Sequence, residues 1–86
     1  MDLPQTHSRR RLRVVADADP GAVGRVVERF QNLNLLPRRI NAEFSSNDLL
    51  HIEVDVSGIT DEQLTLIAGK IRQVPCIVNA YWHRLD

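Results

Sequence analysis

A change of hydrophobic period at residues 16–20 constrains the fold more than any other feature of this sequence. Residues 11–16 alternate polar and apolar side chains and include β-branched residues, which predicts a half-buried strand. Residues 20–33 repeat apolar side chains at helical spacing, which predicts an amphipathic helix. A strand that leads directly into such a helix indicates a sheet with helices packed on it.

The turn between this strand and this helix is the candidate ligand site. We expect Asp19 at the helix N-cap and Pro20 at the first helical position, with Gly21 keeping the turn free of a side chain. Backbone amides at a helix start favour a carboxylate or a phosphate. The same residues also fit a well-capped turn that binds nothing, so the pattern leaves both interpretations open.

Three further strands and a second helix follow. Residues 38–44 and 49–56 alternate as strands around a polar turn, which predicts an antiparallel hairpin. Thr60 and Gln63 match a capping box at the start of a second helix, and Pro75 ends that helix before a last strand at residues 76–84. We expect Leu33, Leu35 and Leu36 to turn inward, whereas the alternation of the last strand does not decide which of its faces is buried.

The predicted fold class is therefore α+β. The element order is that of a ferredoxin-like βαββαβ domain, with a four-stranded antiparallel sheet and two helices on one face. Its first and third strands are expected at the centre of the sheet and its second and fourth at the edges. We expect one domain at residues 9–86, preceded by a flexible tail at residues 1–8.

Composition narrows the choice of function classes. The 86 residues are 43% hydrophobic, and 11 Lys and Arg balance 11 Asp and Glu, so charge indicates neither a nucleic-acid nor a membrane partner. One cysteine, Cys76, excludes an internal disulfide framework, and no apolar run is long enough to cross a bilayer. We expect a cytoplasmic domain, small enough to benefit from forming a dimer.

Catalytic and metal chemistry are not expected. His7, His51 and His83 lie far apart in the pattern and show no metal-ligand spacing with Cys76, and no cofactor motif is present. The polar residues at positions 51, 53 and 55 fit either an acid–base cluster or the solvated face of a sheet, and we favour the solvated face. The arginines at positions 9–11 and 13 fit a solvated strand end, with a phosphate or acidic partner as the alternative. The sequence therefore indicates a protein that is not an enzyme.

The turn and first helix resemble the ACT domain, a small regulatory module that binds amino acids. The segment DADPGAVGRV at residues 17–26 is similar to the pattern of the regulatory small subunit of acetohydroxyacid synthase, in which two acids, a proline or serine and Gly-Ala-Leu precede a variable residue and Arg-Val. The likeness extends over residues 12–82, but only the turn and first helix carry a motif. It implies allosteric regulation in branched-chain amino acid biosynthesis.

The resemblance also implies where a ligand lies. In that family the effector contacts the turn and first helix and is held partly by asparagines, whose positions here are taken by Ala18 and by Leu36 or Pro37. By resemblance, amides near Gly21 would hold the effector carboxylate, an acid of the turn its ammonium group, and Arg38 or Arg39 would be nearby. The expected ligand-binding residues are Asp17, Ala18, Asp19, Pro20, Gly21, Ala22, Val23, Leu36 and Arg38.

Two functions follow as hypotheses. The first is a homodimeric regulatory domain that binds an amino acid and serves as a small subunit of a biosynthetic enzyme. The second is an interaction or dimerisation module without an effector, because both asparagine positions are changed. In either case the second strand, at a sheet edge, is expected to pair with a second copy of the chain.

Overall fold

The computed structural model describes residues 9–85 of the chain. Its elements in order are β1 (Arg9–Ala16), α1 (Ala22–Asn32), β2 (Arg39–Phe44), β3 (Leu50–Ser57), α2 (Asp61–Arg72) and β4 (Ile77–Arg84). The strands form one antiparallel sheet in the order β2-β3-β1-β4. The ferredoxin-like βαββαβ fold is confirmed, with β1 and β3 central and β2 and β4 at the edges. The expected tail at residues 1–8 lies outside the described residues.

The core lies between the sheet and the two helices. Alternate residues of β1 and β3 point toward the helices, because side chains along a strand alternate between its faces. The apolar residues buried on these two strands are Leu12, Val14, Ala16, Leu50, Ile52, Val54 and Val56. The helices cover them with Ala22, Val26, Phe30, Leu64, Ile67, Ala68 and Ile71.

The start of α1 differs from the sequence expectation. The helix begins at Ala22, with Gly21 at the N-cap position and no side-chain cap. Asp19 instead accepts a hydrogen bond at Oδ1 from the Gly21 amide, 2.7 Å away, and its carbonyl accepts one from the Ala22 amide at 3.0 Å. The prediction of Asp19 as N-cap was wrong. Its side chain instead accepts a hydrogen bond from the amide of Gly21, two residues later, and so forms a turn before the helix begins.

The connection from α1 to β2 also departs from the sequence expectation. Leu33 is the C-cap residue and is 51% exposed, and Leu36 is 88% exposed, so the expectation that both turn inward was wrong. Leu35 does pack against the core. Asn34 adopts a positive φ of 58° directly after the helix, which redirects the chain before Leu36.

The second half of the fold follows its sequence signals more closely. Thr60 and Gln63 form the predicted capping box, with the Gln63 amide donating to Thr60 Oγ1 at 3.1 Å. In β4, Ile77 and Ala80 are both buried although they lie three residues apart. The pairing of β1 with β4 is irregular between Val15 and Ala16, which shifts the register, so neither alternating set of β4 faces the core throughout.

Candidate functional site

A groove beside the β1–α1 turn is the candidate functional site. It has a volume of about 470 Å³. One wall comes from the turn and α1, the other from β2, and β3 contributes its first residue. The lining residues are Ala18, Asp19, Pro20, Val23, Ala42, Phe44 and Leu50.

Hydrogen bonds fix the conformation of the turn. The Asp17 amide donates to the Cys76 carbonyl at 2.8 Å, which ties the end of β1 to the segment before β4. The Asp19 amide donates to the Asp17 carbonyl at 2.7 Å. Since Asp19 in turn accepts from Gly21 and Ala22, the turn is held by its own polar groups.

These bonds bear on how a ligand would be held. The Gly21 and Ala22 amides, expected to bind a carboxylate, both already donate to Asp19. Among residues 9–85, Asp19 is the single charged residue lining the groove, and the Gly21 amide occupies its Oδ1. The groove therefore offers a negative charge for a cation and an otherwise apolar surface.

The structure brings together four of the nine expected ligand residues. Ala18, Asp19, Pro20 and Val23 line the groove. Asp17 and Gly21 belong to the same turn but do not line the groove. The Ala22 side chain is fully buried in the core.

Leu36 and Arg38 lie away from the groove. Arg38 donates from its backbone amide to the Asp55 carbonyl at 2.7 Å and from its side chain to Ser57. Leu50 is the first residue of β3 and Ser57 is the last. The neighbouring strand β2 spans about 17 Å from end to end, at ~3.4 Å per residue. Within one chain, Arg38 is therefore separated from the turn by the length of β2.

Sequence reasoning missed the opposite wall of the groove. Ile40, Ala42 and Phe44 share the β2 face that points to the helix side of the sheet, as the alternation predicted, but the helices do not cover them. Phe44 is 66% exposed and Ile40 42%. The alternation of apolar and polar residues along β2 was the available signal. It showed that these three side chains share one face, but it did not show that the helices leave this face uncovered.

The opposite face of the sheet carries ion pairs instead of an acid–base site. Arg13 donates to Glu53 at 2.6 Å, and Arg11 forms two hydrogen bonds to Asp55. The hydrogen bonds from Arg11 hold the pKa of Asp55 below its usual value near 3.8. Asp55 lies on the face predicted to be solvated, but it is only 9% exposed because neighbouring charged side chains cover it.

Comparison with known proteins identifies the family. The sequence model of a family described as an ACT-like domain matches residues 3–86. The chain belongs to this ACT-like domain family. ACT domains are typically regulatory ligand-binding modules without catalytic activity, and they commonly bind small amino acids and dimerise. No match was found among curated protein sequences.

Three of the solved structures with this fold belong to different proteins. The C-terminal domain of MgtC from Mycobacterium tuberculosis is 15% identical with a TM-score of 0.75, the match covering 98% of this chain and 93% of that one. The ACT domain of GTP pyrophosphokinase from Chlorobium tepidum is 13% identical with a TM-score of 0.72, covering 87% and 96%. A homoserine dehydrogenase from Thiobacillus denitrificans is 14% identical with a TM-score of 0.75, covering 98% and 19%. At these identities the comparisons show a shared fold.

Two further observations concern membrane-spanning helices and metal sites. Neither helix within residues 9–85 is long and apolar enough to cross a membrane. In the same residues, no three His, Cys, Asp or Glu side chains converge as metal ligands.

Proposed function

We propose that this chain is a regulatory domain that binds an amino acid in the groove beside the β1–α1 turn. The observation that carries the proposal is the groove itself, in which Asp19 is the only charged group that the described residues place on an apolar lining. An effector ammonium group would pair with Asp19 Oδ2. An aliphatic side chain would contact Val23, Ala42 and Leu50, where burial of apolar surface stabilises the complex.

The effector carboxylate would pair with a cation, and within residues 9–85 no Arg or Lys side chain lines the groove. The Gly21 and Ala22 amides already donate to Asp19. Pairing of β2 with β2 of a second copy would supply the cation. Antiparallel strands place the beginning of one opposite the end of the other, so Arg38 of the second copy would lie beside Phe44 and the turn.

The faces of β2 are compatible with this pairing. Directly opposite residues of antiparallel strands point to the same side of the sheet. By alternation, Ile40, Ala42 and Phe44 share one side, so Ile40 of the second copy can stand opposite Phe44. Arg38 directly precedes the strand, so its long side chain would lie near the same end of the paired strands. The dimer would also cover the exposed β2 surface, and it would bring Leu36 of the second copy, 88% exposed in one chain, toward the same region.

The finer proposal is a small cytoplasmic subunit that regulates an amino-acid biosynthetic enzyme such as acetohydroxyacid synthase. It is supported by the likeness of residues 17–26 to the regulatory subunit of that enzyme. An aliphatic groove is also compatible with a branched-chain effector. The domain boundaries proposed with this function are residues 9–86, after a tail at residues 1–8.

The decisive experiment is a thermal-shift panel of the twenty amino acids. A ligand that binds only the folded protein raises its melting temperature by mass action. We expect a rise for a few aliphatic amino acids, lost in Asp19→Asn, which keeps an oxygen for the Gly21 amide but removes the charge. Glu28→Gln, which changes an exposed acid of α1 outside the lining, should respond as the wild type does. A panel without any rise would contradict amino-acid binding.

The second candidate is an interaction module without an effector. It is favoured by the hydrogen bonds that the Gly21 and Ala22 amides already donate to Asp19. Neither of these two amides is then free to bind a ligand carboxylate. Under this hypothesis the panel is flat while the protein still dimerises through β2. A dimer measured in the absence of any amino acid, together with a flat panel, would favour this candidate over the first.

A further inference from the structure

A second groove lies between the two helices, on the side of the molecule away from the sheet. Its volume is about 320 Å³. α1 contributes residues near its C-terminal end, and α2 contributes residues along one face. The lining residues are Arg29, Asn32, Leu33, Gln63, Leu66, Ile67 and Lys70. None of them lines the groove beside the turn.

Exposed leucines border this inter-helix groove. Leu33 is 51% exposed and Leu66 is 65% exposed, whereas Ile67, in the middle of α2, is buried. Neither leucine is needed to complete the core between the helices and the sheet. Adjacent large apolar side chains left in solvent are typical of binding surfaces.

The charges of the groove have one sign. Arg29 and Lys70 are its charged lining residues, accompanied by the amides of Asn32 and Gln63. The nearest acids on α2, Asp61 and Glu62, line a separate depression on the other side of Leu66. An occupant with a negative charge and an apolar surface therefore matches the groove, and an apolar cation does not.

The charge pattern also argues against a second copy as the occupant. A two-fold dimer presents the same surface on both subunits. Placing this groove against itself would bring Arg29 and Lys70 of one copy toward the same cations of the other. Like charges facing each other disfavour association, so a symmetric dimer through this groove is disfavoured.

We propose that the inter-helix groove binds a small amphiphilic carboxylate. The apolar part of the ligand contacts Leu33, Leu66 and Ile67, and its carboxylate pairs with Arg29 or Lys70. A volume of about 320 Å³ is at the lower end of the range for small-molecule sites, which fits a short alkyl chain better than a peptide helix. This site is separate from the proposed effector site and does not depend on it.

Octanoate is a suitable probe of this chemistry. We expect a titration of the full chain with sodium octanoate, followed by methyl carbon–proton NMR, to give saturable shifts at Leu33, Leu66 and Ile67. Octylammonium chloride, which has the same chain and the opposite charge, should give much weaker shifts. Equal binding of both compounds, shifts centred on Leu50 and Ala42, or no saturation would each overturn the proposal.

Variants of the charged lining separate this site from non-specific contact. Arg29→Gln and Lys70→Gln should each weaken octanoate binding about threefold, as expected for an exposed ion pair, and together by about tenfold. Arg25→Gln removes an exposed α1 cation outside the groove and should leave the affinity unchanged. Unchanged affinity in the double variant would overturn the proposal. An amino-acid response at the turn in the same variant shows that the two sites are independent.

Discussion

Arg11 on β1 and Asp55 on β3 face each other across the centre of the sheet in a two-point ion pair. Arg11 Nε lies 2.6 Å from Asp55 Oδ1, and Nη2 lies 3.0 Å from Oδ2. Asp55 is only 9% exposed although no helix covers this face. The charged side chains of the sheet therefore shield one another, and the face opposite the helices carries part of the stability of the fold.

This pair predicts a loss of stability in acid. The Arg11 hydrogen bonds lower the pKa of Asp55 from its usual value near 3.8. Because the folded-state pKa is the lower one, the stabilisation is complete above about pH 5 and is lost as the pH falls through the unfolded-state and then the folded-state pKa. We expect the free energy of unfolding, measured in urea with Trp82 fluorescence, to fall over this range.

Asp55→Asn tests the assignment of this acid dependence. At neutral pH the substitution should cost about 1–2 kcal/mol, since it replaces charged hydrogen bonds by neutral ones. Once the pH falls below the folded-state pKa of Asp55, the wild type is itself protonated at this position, so the difference should shrink. Asp61, whose pKa is lowered by Arg10 and Arg84, keeps some acid dependence in the variant. A difference that stays constant with pH would contradict the assignment.

The capping box of α2 makes a second prediction. Thr60 Oγ1 accepts from the Gln63 amide, and the Gln63 side chain accepts from the Thr60 amide at 3.0 Å. Thr60→Ala should lower the free energy of unfolding by about 1 kcal/mol, because an amide of the first turn loses its partner. Thr60→Ser keeps the hydroxyl and should restore most of that loss in the same urea measurement. Equal stability of the two variants would show that the cap contributes nothing.

Arg10 predicts an asymmetry between the two partners of one ion pair. Arg10 is 4% exposed, and its Nε donates to Asp61 Oδ1 at 2.6 Å. Within residues 9–85, its Nη1 is buried without a hydrogen-bond partner. Arg10→Met removes a poorly satisfied buried charge and leaves Asp61 paired with Arg84 at 2.8 Å. We expect its urea midpoint to be unchanged or higher.

Asp61→Ala is the matched change on the other side. It leaves the Arg10 charge buried without its acceptor, so its urea midpoint should fall well below that of Arg10→Met. Asp61→Asn, which keeps an acceptor oxygen, should lie between the two. If Arg10→Met is the least stable of the three variants, the Arg10 charge stabilises the fold and the asymmetry is refuted.

Periodicity and capping signals were sufficient to predict the fold. The alternation around Ile52 identified the inward face of β3, and Thr60 with Gln63 located the start of α2, because both signals depend on neighbours in the chain. The prediction failed where a residue had a choice of partner. Asp19 bonded to Gly21 instead of capping α1, and β4 changed register opposite Val15, which no local pattern reveals.

The candidate site was predictable on one side only. The turn around Asp19 has a recognisable motif, but Phe44 joins it through the pairing of β2 with β3, and its exposure depends on where the helices end. Arg10 shows the same limit. The interpretation of the arginines at positions 9–11 and 13 as a solvated strand end was wrong for Arg10, which is 4% exposed. Its partner Asp61 is 51 residues away in sequence, so no local pattern indicated the pair.

The last prediction concerns the edge strand and the dimer. Phe44 on β2 and Val78 on β4 are similarly exposed apolar residues on opposite edges of the sheet. Dimerisation through β2 would bury Phe44 against the second copy, and losing a large aromatic side chain from an interface can cost about 2 kcal/mol. Phe44→Lys should therefore raise the dimer dissociation constant about thirtyfold in analytical ultracentrifugation, whereas Val78→Lys should not change it. Because both side chains face solvent in one chain, neither variant should unfold. Dissociation caused by Val78→Lys alone would place the dimer contact on β4 instead.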